Sequence, residues 1–178
     1  MRWILVLAVA ACSSGKVTSL DGDLVISTLS KDEAKQLCED LDSWARSHRV
    51  ALHREYRCVL QSLDPDNLDL KATHDYEVQE SCHRWRDDCI RKAADKPEPP
   101  PLDCKDFMAD FDHCKGLTVA EFDACTRESL EQEKQDVAED WCMRVSKRFT
   151  RDDHIKAIDD HEHPGPACLR MRDKCPKR

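Results

Sequence analysis

The chain is short of aromatic side chains, of glycine and of long apolar runs, and each shortage closes off a class of protein. Aromatics make up 6% of its 178 residues and charged residues 36%. A core that lean cannot hold a fold of this size on apolar burial alone. Only four glycines occur, and no stretch alternates convincingly at period two, so an all-α fold is expected. The apolar run from Trp3 to Ala11 is far short of the roughly 20 residues that span a bilayer as a helix.

Motifs of chemistry are missing as well. No P-loop, dinucleotide fingerprint, G-x-S-x-G or H-E-x-x-H occurs. No two cysteines stand as C-x2-C, which argues against a thiol oxidoreductase and a zinc ribbon. No enzyme activity, cofactor or catalytic residue is expected. The net charge of −8 makes the chain a poor partner for phosphate backbones, so no nucleic acid is expected either.

What the chain does have is cysteine, eleven of them. Cys12 stands apart, at the end of the apolar run. The other ten are Cys38, Cys58, Cys82, Cys89, Cys104, Cys114, Cys125, Cys142, Cys168 and Cys175, an even number that allows five disulfides. Disulfides are a feature of exported proteins, and the N-terminus has the layout of an export signal: Arg2, a short apolar core, small residues at its end.

Val9-Ala10-Ala11-Cys12 resembles the lipobox of bacterial lipoproteins. The resemblance implies removal of residues 1–11 and a lipid on Cys12, with several acyl chains holding a soluble domain on a membrane. The signal is short for that class, and an ordinary signal peptide cut elsewhere is the alternative. The segment LDCKDFMADFDHCKGLTVAEFDAC, residues 102–125, resembles cysteine-rich lipoproteins of Gram-negative bacteria that have no assigned activity. The implied location is the cell envelope, anchored to a bacterial membrane, at the periplasmic or surface face of an outer membrane. The implied partners are that membrane, through Cys12, and an unidentified envelope protein.

Helix signals organise the rest. Ser30 with Glu33, and Thr118 with Glu121, are capping boxes. Ala34, Leu37, Leu41, Trp44, Leu52, Tyr56, Val59 and Leu63 form one helical stripe, and polar Arg46-Ser47-His48-Arg49 marks a kink in it. Val78, Cys82, Trp85 and Cys89 share another face. Val119, Phe122, Cys125, Val137, Trp141 and Val145 make a third, with a polar, solvent-facing middle at Glu131 to Asp136. Trp44, Trp85, Phe122 and Trp141 are read as core. The stretches 150–160 and 167–175 read as short helices, and Val25-Ile26 as a scrap of strand.

The expected division is 1–11 signal peptide, 12–29 lipidated cysteine and flexible tether, 30–96 a first helical hairpin unit, 97–102 a proline-rich linker, and 103–178 a second helical unit. The units look related. Cys82 to Cys89 and Cys168 to Cys175 both read C-x-R-x-R-D-x-C, and Cys38 and Cys58 find counterparts in Cys125 and Cys142. Seven residues of helix separate Cys82 from Cys89 by about 10 Å, beyond the reach of a disulfide, so each must bond to a neighbouring helix. Antiparallel hairpins suggest nested bonds: Cys58–Cys82, Cys38–Cys89, Cys142–Cys168 and Cys125–Cys175. The scheme strains at Cys38, which a straight helix puts about 30 Å from Cys58.

Two polar clusters invite a metal reading. His154, His161 and His163, among Asp153, Asp159, Asp160 and Glu162, are weak candidate ligands for zinc or copper. Asp64, Asp66, Asn67, Asp69 and Asp75 look like a calcium loop, but Leu68 and Asp69 fall where an EF-hand needs an oxygen ligand and glycine. Capping and turn formation is the simpler reading of that cluster. Arg84 with Asp87 or Asp88, and Arg170 with Asp173, are expected as exposed ion pairs. The function expected is a lipid-anchored envelope protein with a binding or structural role. The alternative is a periplasmic metal-binding protein using the His154, His161 and His163 region. An enzyme site built from distant residues would show as a deep pocket gathering histidines and carboxylates.

Overall fold

The computed structural model describes residues 15–105, 107–161 and 164–176. The lipobox and Cys12 lie outside the described residues. Among the described residues six α-helices carry the fold: α1 (Lys31–His48), α2 (Val50–Ser62), α3 (Asp75–Ala94), α4 (Val119–Ala138), α5 (Arg151–His161) and α6 (Pro166–Lys174). No strand occurs among the described residues; Val25 and Thr118 form one isolated antiparallel bridge. The protein is all-α and disulfide-rich.

Both capping boxes form. Ser30 and Thr118 accept from the backbones of Glu33 and Glu121, whose carboxylates reach back to the cap residues. These side chains satisfy backbone donors that a helix start leaves unpaired. The kink also falls where the polar stretch sits. Arg49 ends α1 and begins α2, with φ −114° and ψ −32°, and no side chain caps the second helix.

Helix α2 packs on α3 and α4, and α6 packs on α4. One core joins Val59 of α2, Leu63 just after it, Val78 and Cys82 of α3, and Trp141, Cys142 and Val145. A second joins Ile26, Leu37, Leu117, Val119 and Phe122, with Phe111 meeting Phe122 edge-on at 5.6 Å. A third joins Val17, Trp44 and Leu130. Trp44, Phe122 and Trp141 are core residues as expected, while Trp85 is half-buried.

Within the stretch expected as a tether, residues 17–29 lie against the helices. Val17 and Ile26 are buried, the Val17 amide donates to Asp123, and Asp40 accepts from Thr18 and Ser19. Ile26 donates to Leu117, and Val119 donates back to Leu24. Gly22 permits this approach, since a Cβ there would sit 3.1 Å from the Ala120 Cβ.

The ten cysteines pair as Cys38–Cys104, Cys58–Cys89, Cys82–Cys142, Cys114–Cys175 and Cys125–Cys168. Cys82 and Cys89 do reach different neighbours, as helix geometry requires. The nested scheme is nevertheless wrong in all four pairs. The reason is the length of α1–α2: Cys38 lies too far along it to meet α3 and bonds to Cys104 beyond the proline segment. Cys58 faces Cys89 instead, which frees Cys82 for Cys142. Two bonds therefore tie the stretch 30–96 to 103–178, and cysteines matched by the repeat do not have matched partners.

Candidate functional site: a basic groove along the second helix

The break at Arg49 sets the register of α2. Val50, His53, Arg54 and Arg57 stand at positions i, i+3, i+4 and i+7, which is one helical face. That face and the proline segment enclose a groove of about 520 Å³. Its cationic wall is Arg49, Arg54, Arg57 and Lys96, with His53 between them; Ala45, Val50, Pro97 and Pro99 supply the apolar surface.

The groove is held from both sides. Arg54 donates to the carbonyls of Pro97 at 2.7 Å and Ala93 at 3.4 Å. Arg46 donates to the Pro99 carbonyl at 3.1 Å and pairs with Asp42 at 2.8 Å. That partner holds the Asp42 carboxyl below its usual range, chiefly through the Arg46 hydrogen bond. Asp42 also accepts from the Leu102 amide. The prolines have no N–H to offer, so they are fixed through their carbonyls, while Glu98 between them pairs with Arg46 at 3.4 Å and the Cys38–Cys104 bond fixes the far end of the segment. The expected linker at 97–102 is thus a docked wall.

The same helix faces a second cleft, of about 390 Å³, on its α4 side. This cleft gathers His53 and Tyr56 with Glu128, Glu133 and Asp136. Its carboxylates are already engaged. Glu133 receives the forked Arg49 guanidinium, with Nε at 3.0 and 3.1 Å from its two oxygens, and lies 3.3 Å from His53 Nδ1. Glu128 accepts from the Cys168 amide, and Asp136 from Gln132. Glu133 and Asp136 are buried, which corrects the expectation of a solvent-facing middle for α4; Glu131, Lys134 and Gln135 are exposed.

A third cavity, of about 350 Å³, is lined by Trp141, Arg144, Phe149, Asp153 and Lys156. Arg148 also lines it, and no carboxylate among the described residues pairs with that side chain. Arg144 lies 3.9 Å over the Trp141 ring and pairs with Glu139, and Lys156 lies near enough to Asp153 to help lower its carboxyl, after the larger effect of Thr150.

The weak metal candidates are not brought together on described residues. His154 is half-buried in α5, its Nδ1 without a hydrogen-bond partner there. His163 and the side chain of His161 lie outside the described residues. In the calcium-like stretch, Asp64 caps the turn Pro65–Asn67, and Asp75 accepts from the Lys147 amide. A different trio, His83, Asp140 and Cys142, lies within ligand distance. Its sulfur is bonded to Cys82 and offers no thiolate, and Asp140 is already paired with His83 at 2.8 Å and Arg86 at 3.4 Å. Of the expected arginine pairs, Arg84 turns back to Glu80 rather than forward to Asp87 or Asp88.

No protein-family model, curated protein or solved structure matches the chain. No helix among the described residues is long and apolar enough to cross a membrane. The α2 stripe was missed in the sequence. The signal was there, as basic residues at 53, 54 and 57 on the face opposite the apolar one.

Proposed function

We propose that this is an exported, lipid-anchored protein of the bacterial cell envelope that binds a partner or ligand and performs no catalysis. The observation that carries the reading is that all ten cysteines after Cys12 are joined in five disulfides. Such bonds persist in oxidising compartments. Cys12 is the one cysteine left over, and it stands in Val9-Ala10-Ala11-Cys12, where a lipoprotein carries its lipid. The proposed role follows from the two clefts beside α2. One presents cations and apolar surface, and the carboxylates of the other already serve to hold helices together.

Mass spectrometry of the protein from its native membrane fraction, with thiols trapped before reduction, tests the reading. The expected N-terminus is a diacylated or triacylated Cys12, with no free thiol on the other ten. Retention of Met1, or widespread free thiols, would overturn export and anchoring together.

A further inference from the structure

Acidic residues outnumber basic ones by 36 to 28 in this chain, and every arginine and lysine of α3 and α4 pairs with a carboxylate. The α2 groove departs from that pattern. Arg54, Arg57 and Lys96 all line it, and none of the three has a carboxylate within 4.0 Å among the described residues. Arg57 and Lys96 are exposed, free to meet a ligand. Arg54 is different again: two backbone carbonyls fix the plane of its guanidinium but leave its charge uncancelled. A cation oriented by neutral acceptors is pre-organised for an anion, because no competing acid must be displaced.

Like charges gathered on one wall of an otherwise acidic protein repel one another, and an anion relieves that repulsion. A single carboxylate satisfies one guanidinium fork. A phosphate monoester offers three free oxygens and up to two negative charges, which suits two arginines and a lysine around one cavity; a diester keeps two free oxygens and one charge, in tetrahedral rather than planar arrangement, and should bind more weakly. The rest of the wall is apolar. Ala45, Val50, Pro97 and Pro99 provide no donors for a polyhydroxylated ligand, but they fit a short hydrocarbon portion. The volume of about 520 Å³ lies in the range that takes a small molecule and excludes a duplex. The walls are held by Arg46 and Arg54 and by the Cys38–Cys104 bond, so the site is formed before the ligand arrives.

We propose that the groove between α2 and the proline segment binds a phosphate monoester or diester carrying an apolar chain, with the phosphate on Arg54, Arg57 and Lys96. The inference rests on the reading of the protein as a binding protein, and names the ligand class of that site. It does not require the lipid on Cys12.

The test is titration calorimetry of the full, oxidised chain with hexyl phosphate below its micelle concentration, beside inorganic phosphate, hexanoate and hexanol. A second arm is co-sedimentation with phosphatidylglycerol vesicles and phosphatidylcholine vesicles. Hexyl phosphate should bind more tightly than inorganic phosphate or hexanoate, and hexanol should give no heat. Arg57→Gln and Lys96→Gln should each weaken binding by about tenfold, the scale of one charge-assisted hydrogen bond. Both sites are exposed, so the urea midpoint should not move. Binding of hexyl phosphate in solution identifies a soluble ester as the source. Phosphatidylglycerol capture without it, lost in the Arg57→Gln and Lys96→Gln variants, identifies a lipid headgroup. The proposal is overturned if neither probe binds, if hexanoate binds as well as hexyl phosphate, or if both variants bind like the parent chain. Any of those results leaves the exported binding protein standing, since that reading fails only on the mass of Cys12 and the state of the thiols.

Discussion

Arg49 and Glu133 are 84 residues apart in the chain, yet the Arg49 guanidinium closes on both oxygens of the Glu133 carboxylate. Arg49 is the residue at which α1 becomes α2, and Glu133 is a buried position of α4. The pair therefore fixes the angle of the helix break against the helix that packs on it. It also sits between the two clefts, so the shape of the candidate site depends on it.

Removing one partner leaves the other in a poorly solvated place, and that is what makes breaking such a pair costly. Arg49→Met should destabilise the protein by roughly 3 kcal/mol, because the Glu133 carboxylate stays buried without its cation. Glu133→Gln should cost less, because Arg49 is partly exposed and can turn to water. The double variant Arg49→Met with Glu133→Leu should recover much of the loss. Urea unfolding of the oxidised protein measures all three, and additive losses would show that the pair contributes nothing as a pair.

Cys82–Cys142 is the bond most deeply placed, with both sulfurs in the core shared by α2, α3 and the turn Trp141–Arg144. It closes 60 residues of chain. Loop-closure entropy over that length corresponds to about 4 kcal/mol, lowered by whatever structure the unfolded chain retains. Replacing both cysteines with alanine should lower stability by about that amount. Replacing Cys58 and Cys89 should cost slightly less, since that bond closes 31 residues, and Cys89 is only half-buried. Equal urea midpoints for parent and Cys82/Cys142 variant would show that burial holds this core without the bond.

The parts of the fold that neighbours in sequence decide were readable in advance. Ser30 with Glu33 and Thr118 with Glu121 are three residues apart, so their capping is settled within one helical turn. The polar run Arg46 to Arg49 interrupts an apolar stripe, and the helix breaks there. Partners chosen across the fold were not readable. The spacing of Cys38 and Cys58 showed that nesting was strained, but nothing local pointed to Cys104. Glu133 looks like a surface residue until Arg49, 84 residues away, is placed against it. The basic face of α2 was visible as a spacing, but its meaning depends on the proline segment that covers it. That segment is held largely through its backbone, by carbonyls that accept from Arg46 and Arg54 and an amide that donates to Asp42, and such contacts leave no mark on side-chain pattern.

Acid should loosen the contact between α6 and the start of α4. Glu121 caps α4 and also receives Lys174 Nζ at 2.7 Å. The Lys174 hydrogen bond, with Thr118 adding to it, holds the Glu121 carboxyl below its usual range. A carboxyl depressed in the folded state binds its proton less readily there than in the unfolded chain, so its contribution is complete above the unfolded value of about 4.3. It is lost as pH falls from there through the lower folded value. Glu121→Gln should reduce the slope of stability against pH in that window and leave it unchanged near neutrality. Denaturant midpoints taken in steps of pH from 6 downward would reveal it, and parallel slopes for parent and variant would remove Glu121 from the account.

Gly116 stands just before the second capping box with φ +65°, the one positive φ among the described residues. A Cβ there would meet no neighbour, so space is not the constraint. The constraint is the backbone: a left-handed conformation costs an L side chain about 1–2 kcal/mol. The conformation is anchored on both sides. Cys114 is bonded to Cys175, the Lys115 amide donates to the Lys174 carbonyl, and the Gly116 carbonyl accepts from Lys174 Nζ. The chain therefore cannot relax into a right-handed turn without giving up those contacts. Gly116→Ala should destabilise the protein by about 1–2 kcal/mol. Gly116→Asn should cost less, because asparagine tolerates this region better than alanine. An alanine variant as stable as the parent would mean that the turn can adopt another shape while the disulfide and the Lys174 contacts persist.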